Sequence, residues 1–400
     1  MPEQFLHGVE VVEVDDGIRP IRTVKSSIIG VIGTAPDADA NAFPLNTPVL
    51  VFGPRQAQAL GARGTLPAAL EDIYDQAGAL VVMVRIDEGA TIDETLSNAV
   101  GSATAMTGVH AFLAAQSVAK VTPRIIVAPV LTSQRPGNAA NPVVAELVGI
   151  LPRLRAVAFV DGPGTTFADA ITYRQDFGSD RIMVIDPHVL VWDEASNAPV
   201  ARPASARFAG VQSRLDNDRG FWWSVSNHEL AGVEGISRPI SYQLGDPNCE
   251  ANQLNEHEVS TVIHDNGWRT WGDRSTSSDP MWAFLSVRRT ADMVYESVER
   301  AFRWAMDRPI SANLIEDIAE SVNLYLAHLK AVGAILGGRA WLDPELNTKD
   351  QLMAGKLTID FDIEPPAPME HLIFRAHRND GYYEELVAEV AREIAGNAAA

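Results

Sequence analysis

Three early runs are apolar on both faces: "SSIIGVIGTAP" (26–36), "PVLVFG" (48–53) and "ALVVMVRI" (79–86). Short runs of this kind, bounded by Gly and Pro, predict buried strands. "GTLPAALEDIYDQAG" lies between the last two and predicts a helix, with Pro67 in its first turn and Gly78 closing it. The rhythm then lengthens. "RIIVAPV" (124–130), "AVAFVDG" (156–162) and "RIMVIDP" (181–187) are again apolar throughout, with helical patterns over 142–151 and 167–177 between them. Apolar strands alternating with helices predict a parallel sheet covered on both sides.

From about Asn217 the text fills with Trp, Asn, Gly and Ser, which predicts long ordered loops with aromatic anchors. "RRTADMVYESVERAFRWAMDRPIS" then puts Met293, Val294, Ser297, Val298, Ala301, Phe302 and Ala305 on one helical face, and a second helix follows over 314–330. Near the end Leu357, Ile359, Phe361 and Ile363 alternate with Thr358, Asp360 and Asp362. After a proline-rich stretch, Leu372, Phe374 and Ala376 alternate with His371, Ile373, Arg375 and His377. The expectation is an antiparallel pair of these two runs, with open edges. Leu386, Val387, Val390 and Ile394 mark a helical tail. At the other terminus "HGVEVVEVDDGIRPIRTV" predicts a strand over Val9–Val14, a turn at Asp15-Asp16-Gly17 and a stop at Pro20. So little chain precedes this strand that it must join some sheet, its own domain's or another copy's.

Composition narrows the function classes. A chain of 400 residues, 46% hydrophobic and 21% charged, suits two or three globular domains. A net charge of −20 argues against a nucleic-acid partner, since phosphates need clustered Lys and Arg. The single cysteine, Cys249, cannot form an intramolecular disulfide. The start carries neither the charge nor the apolar run of a signal peptide, and the strongest apolar stretch, 77–86, is about half a membrane span. No membrane partner and cytoplasmic synthesis are expected.

Candidate chemistry thins out on inspection. "GVIGTAP" has spaced glycines after a strand but lacks the Gly-Lys-Ser/Thr ending of a phosphate loop. Asp161, Asp186 and His188 follow parallel strands, where catalytic acids often sit. No Gly-x-Ser-x-Gly elbow accompanies them, so they read as turn punctuation. Glu256, His257, Glu258, His264 and Asp265 crowd together without His-Glu-x-x-His spacing, and read as solvent-facing and loop-anchoring. Trp222, Trp223, Trp268 and Trp271 read as anchors under loops rather than a sugar platform. The expectation is no catalytic residue, cofactor or metal; the alternative kept beside it is an α/β hydrolase-like or nucleotide-binding enzyme.

Six stretches together carry a resemblance: "HGVEVVEVDDGIRPI", "FPLNTPVLV", "SDRIMVIDPHVLVWD", "GFWWSVSNHELAGVEGISRPI", "NGWRTWGDRSTSSDPMWAFLSVRRTADM" and "KLTIDFDIEPPAP". From about His7 to Asp380 the chain resembles the tail sheath proteins of contractile bacteriophages and the sheath of R-type pyocins. The resemblance implies an α/β fold whose central parallel-sheet domain has subtilisin-like topology, plus an α+β C-terminal domain and extended terminal arms. It gives an arm over 1–22, an α/β unit over 23–92, the central domain over 93–278, the C-terminal domain over 279–380 and a second arm over 381–400. The implied product is a structural helical polymer of stacked rings around a tail tube. Baseplate and tail terminator proteins are its further partners, and assembly takes place in the host bacterial cytoplasm. The arm strand Val9, Val11, Val12 and Val14 would enter a neighbouring copy's sheet, built from Leu357, Ile359, Phe361, Ile363, Leu372 and Phe374. Gly17, Pro20 and Gly381 would be hinges, and Lys330, Arg339 and Lys349 would touch the tube. The helical pattern after Tyr382 departs from an extended C-terminal arm.

Overall fold

The computed structural model describes residues 20–194 and 196–397. Its strands run β1 (Ile29–Thr34), β2 (Pro48–Val51), β3 (Val81–Ile86), β4 (Ile125–Val127), β5 (Val157–Asp161), β6 (Ile182–Ile185), β7 (Val189–Asp193), β8 (Ala198–Arg202), β9 (Gly235–Ile236), β10 (Val259–His264), β11 (Trp268–Trp271), β12 (Gly337–Trp341) and β13 (Asp360–Glu364). The main helices are α1 (Leu66–Tyr74), α2 (Ile92–Val100), α3 (Pro142–Leu154), α4 (Phe167–Gln175), α5 (Ser205–Asp218), α6 (Leu285–Ala301), α7 (Ala312–Ala331) and α8 (Tyr382–Asn397).

An eight-stranded sheet in the order β11-β10-β6-β5-β4-β1-β3-β2 forms the centre. The six inner strands are parallel, and an antiparallel strand flanks each side. Alternate residues feed two cores. Val31, Met83, Val127, Phe159 and Met183 face α1 and α5, while Ile32, Val84, Ile126, Val160 and Val184 face α2, α3 and α4. Burial on both faces is why these strands carry no polar alternation. The sheet also runs unbroken from β1–β3 into β4–β6, so the 92/93 boundary expected from sequence does not separate two sheets.

Four of these helices start on a capping side chain: Thr91, Asn141, Thr166 and Ser311. Asn141 Oδ1 accepts from Val143 N and Val144 N at 2.9 and 3.1 Å, starting α3 with Pro142 in its first turn. The glycines of "GVIGTAP" serve packing. A Cβ on Gly30 would lie 2.7 Å from Ile126 Cδ1 and 2.9 Å from Phe112 Cε1.

Two sequence expectations change. "GWRTW" is not loop but the edge strand β11, antiparallel to β10. Its four residues are too short to display a period beside the flanking glycines. The second change concerns the receiving sheet. β13 pairs not with the run over 371–377 but with β12, in the register Gly337↔Glu364 to Trp341↔Asp360. The sequence "GGRAW" hides β12, because its glycines show no alternation. Residues 365–368 include three prolines, which lack an N–H and suit no tight hairpin. Leu372 and Phe374 therefore belong to no strand; they are exposed.

A smaller core gathers Phe221, Met293, Val294, Val322, Tyr325, Leu326, Leu329, Ala334 and Ile335 between α6, α7 and the β12–β13 hairpin. Residues 369–397 belong to a second compact unit: an irregular run, then α8, whose Leu386, Val387, Val390 and Ile394 are all exposed.

Gly30→Ala should destabilise by about 1–3 kcal/mol through overpacking. Gly149→Ala, in α3 with nothing near its Cβ, should be neutral or stabilise by up to about 1 kcal/mol. Urea denaturation of the pair checks the contrast.

Candidate functional site

The carboxylates at the ends of the parallel strands come first, because enzymes of this architecture work there. Asp161, at the end of β5, accepts from Ser205 N at 2.8 Å, from Ser205 Oγ and from Thr132 Oγ1 at 3.3 Å. Asp186 accepts from Gly164 N at 2.7 Å and Arg238 Nη2 at 2.8 Å. Burial pushes both carboxyls above their ordinary range, against the His188 charge and Ser205 bonds at Asp161 and the Arg238 bond at Asp186. Ser205 donates to a carboxylate, not to a histidine, and is fully buried. The pair therefore ties α5 and the following loops to the sheet, with no activated nucleophile. In the acidic stretch after Asn255, Glu258 pairs with Arg174 at 2.9 Å and His264 packs edge-on to Trp268.

The densest charge lies on α6. Arg288, Arg289, Asp292 and Glu296 are buried along it. Arg124, just ahead of β4, bonds Glu296; Arg181, just ahead of β6, forks onto Asp292, its second bond at 2.9 Å. Arg155, ahead of β5, reaches Glu299, and Arg289 holds Asp216 of α5 at 2.6 Å. α6 is thus bolted across the starting ends of three central strands. The helical period shows only the apolar face of α6, not these ion pairs. The signal available was a run of arginines each standing just before an apolar strand. At the helix start, Asp273 Oδ2 accepts from Ser286 Oγ at 2.6 Å and Ser286 N at 3.3 Å.

Beyond α6 the β12–β13 hairpin carries the residues expected to receive a strand. Leu357 and Ile359 precede β13 and, like Phe361 and Ile363 within it, are half-buried; Phe361 packs edge-on to Tyr295. Asn323 of α7 holds both polar groups of Ala340, and Asn347 holds both of Thr358 while also donating to Asp343 O at 2.8 Å. Arg339, Lys330 and Lys349 sit on separate elements and are exposed; Arg339 lies 3.4 Å from Asp362 and stacks over Trp341.

The strand residues Val9, Val11, Val12 and Val14, and Gly17, lie outside the described residues. The chain enters at exposed Pro20, and from Ile21 it is anchored. Ile21 and Val24 pack into the smaller core, Thr23 Oγ1 meets Tyr325 OH at 3.0 Å, and Val24 N donates to Ser297 Oγ at 3.1 Å. Gly381 opens the turn into α8, its N–H bonded to Asn379 Oδ1 at 3.0 Å.

Comparison with known proteins decides the family. The family model described as the phage tail sheath protein central domain matches residues 104–276, and that of the phage tail sheath C-terminal domain matches residues 277–378. The chain belongs to the phage tail sheath family. The tail sheath protein of Escherichia phage P2 is 37% identical, with 96% of this chain and 98% of that one covered. A putative prophage major tail sheath protein of Pseudomonas aeruginosa strain UCBPP-PA14 is also 37% identical, covering 96% and 99%. Among solved structures, a chain of the anti-feeding prophage baseplate in the contracted state superposes on this sheath chain with a TM-score of 0.73 at 18% identity, covering 94% and 99%. A chain of the extracellular contractile injection system PVC sheath complex, also contracted, gives 0.68 at 17%, covering 96% and 100%. At those identities the structures speak for fold alone.

Two predictions concern α6. Asp292→Ala leaves buried Arg181 without a carboxylate and Arg288 with only Asp180, at 3.4 Å, and should cost about 3–5 kcal/mol in urea denaturation. Burial raises Asp273 to about 6 from 3.8, against the Ser286 bonds. Its folded state therefore holds a proton that the unfolded chain has released, and stability falls as pH rises from about 4 through 6. Across that span Asp273→Asn should gain on the parent chain by up to ~3 kcal/mol, at ~1.4 kcal/mol per pH unit. Denaturation midpoints at pH 4, 5, 6 and 7 measure it.

Proposed function

We propose that this chain is the structural subunit of a contractile tail sheath, polymerising in stacked rings around a tail tube and shortening to drive that tube through a bacterial envelope. The observation that carries the reading is identity of 37% over nearly the whole length to proteins named as tail sheaths. The parallel sheet supports the finer assignment of subtilisin-like topology to the central domain. We place the tube contact at Lys330, Arg339 and Lys349, cations in a strongly acidic chain. Baseplate and terminator proteins are the partners at the two ends, in a virion tail assembled in the host cytoplasm.

Physical support for polymerisation comes from the hairpin. Two strands alone are marginal in water, and β12–β13 is a two-stranded sheet. A strand over Val9–Val14 from another copy would complete it by β-augmentation, with backbone bonds for attachment and alternate valines for register. Each ladder bond contributes about 0.5–1.5 kcal/mol net, so one link is weak and a mesh of many is strong. The root at Ile21–Val24 is held between α6 and α7, so bending falls before it, at Gly17 and Pro20, and at Gly381 for the other terminus. Shortening then needs no hydrolysed fuel. A metastable assembly relaxes by rigid-body rotation of subunits into a better-packed one, and the α6 ion pairs keep each subunit rigid while it turns.

Deleting residues 1–20 should leave a folded monomer that forms no tubes in negative-stain electron microscopy. Tubes of normal length from the truncated chain would reject strand exchange. The double substitution Arg339→Glu and Lys349→Glu should yield sheath that no longer encloses its tube partner in co-assembly.

A further inference from the structure

Cations gather where residues 22–28 pass the approach to β4 and the end of α6. A cavity of about 360 Å³ opens there, lined by Arg22, Lys25, Lys120, Arg124 and Arg300. Among the described residues no carboxylate and no aromatic ring lines it. In a chain of net charge −20, five cations around one hollow call for a counter-charge.

The protein supplies little of it. Arg124 is 5% exposed; it donates to Leu154 O and to Glu296, and its Nε has no partner among the described residues. Arg300 takes the same Glu296 oxygen at 2.7 Å, so one carboxylate serves two guanidiniums. Burial holds Arg124 below its ordinary range and the Arg300 charge adds to that, against the pull of Glu296. Arg22 and Lys25 are exposed, and no carboxylate among the described residues pairs with either.

The rim is set in advance. Lys120 Nζ donates to Ser117 O at 2.7 Å. Gln116 Oε1 accepts from Thr122 Oγ1 at 2.9 Å, which leaves Gln116 Nε2 to donate. Lys120 also stands just past the short helix Ala115–Val118 with φ 63°, a place where glycine is the usual occupant. The chain keeps a lysine there at some cost in strain.

We propose that this cavity binds short inorganic phosphate chains, which bridge the 22–25 segment to the approach to β4 and the end of α6. Guanidinium and ammonium groups hold phosphate through charge-assisted bonds, and a cleft of one sign concentrates the field. The volume lies at the small end of the roughly 300–1,000 Å³ of small-molecule sites, room for several linked phosphates. Without an aromatic ring there is nothing for a base to stack on, so the chain rather than a nucleoside is the ligand. This site goes beyond the sheath reading and does not rest on it.

Calorimetric titration of the full chain with sodium tripolyphosphate, in about 0.15 M sodium chloride without magnesium, tests it. One saturable site per chain is expected, with orthophosphate roughly tenfold weaker and ATP no tighter. No saturable binding overturns the site. Equal affinity for orthophosphate, or ATP binding roughly tenfold tighter, overturns the ligand class. Lys120→Gly should melt at or above the parent midpoint, because glycine relieves the strain, yet bind tripolyphosphate roughly tenfold weaker. Lys25→Ala should weaken binding similarly, and Lys356→Ala, an exposed lysine away from the cavity lining, should leave it unchanged. Parent-like affinity in both cavity variants, or equal weakening in Lys356→Ala, rejects the cavity in favour of diffuse attraction.

Discussion

The smaller core of α6, α7 and the β12–β13 hairpin joins the central sheet through α6, and buried charge fixes that joint. Removing Asp292 or Glu296 from water costs several kcal/mol per ion, recovered only where geometry and partners are good. Here each carboxylate has two guanidinium partners: Asp292 receives Arg181 and Arg288, and Glu296 receives Arg124 and Arg300 on one oxygen. Oil would have joined the helix to the sheet as firmly. Paired charges do something else, fixing one register of the helix against the strand starts, because sliding by a turn strands every ion. Under the contraction proposed above, a subunit that turns as a body would need that property more than raw stability.

The same joint anchors the N-terminal root. Val24 bonds to Ser297 and Thr23 to Tyr325, on α6 and α7, and Ser27 O accepts from Ser213 Oγ of α5 at 2.9 Å. Cavities of about 480 and 360 Å³ flank residues 22–28, the smaller lined by Arg22, Lys25, Lys120, Arg124 and Arg300. The segment is thus pinned at a few points rather than packed along its length. Load arriving through the arm would pass through those points into the charged helix and so into the sheet.

Much of this fold was legible beforehand. β1, β3, β4, β5 and β6 announce themselves because both faces are buried, and α7 falls within two residues at its start. The misses share one cause: short segments that borrow their structure from a neighbour. β12 is glycine-rich and paired by a hairpin whose closing residue, Asn347, looks like any loop polar. β11 is an edge strand beside glycine. The second limb predicted at His371–His377 failed because alternation reports a preference for extended backbone, not the identity of a partner. Within the hairpin, β13 was legible from the alternation of Phe361 and Ile363, but Asn323 has no local signature, since its meaning lies in a strand seventeen residues further on.

Asn347 has one further consequence. By gripping Asp343 O and Thr358 together it clamps the neck of a loop, and the stretch between, with exposed Leu346 and Met353, hangs beyond the clamp. Whatever is grafted into that stretch is mechanically insulated from the hairpin. Lys349 stands in the same stretch, so lengthening it would move the proposed tube contact while leaving the hairpin's register in place.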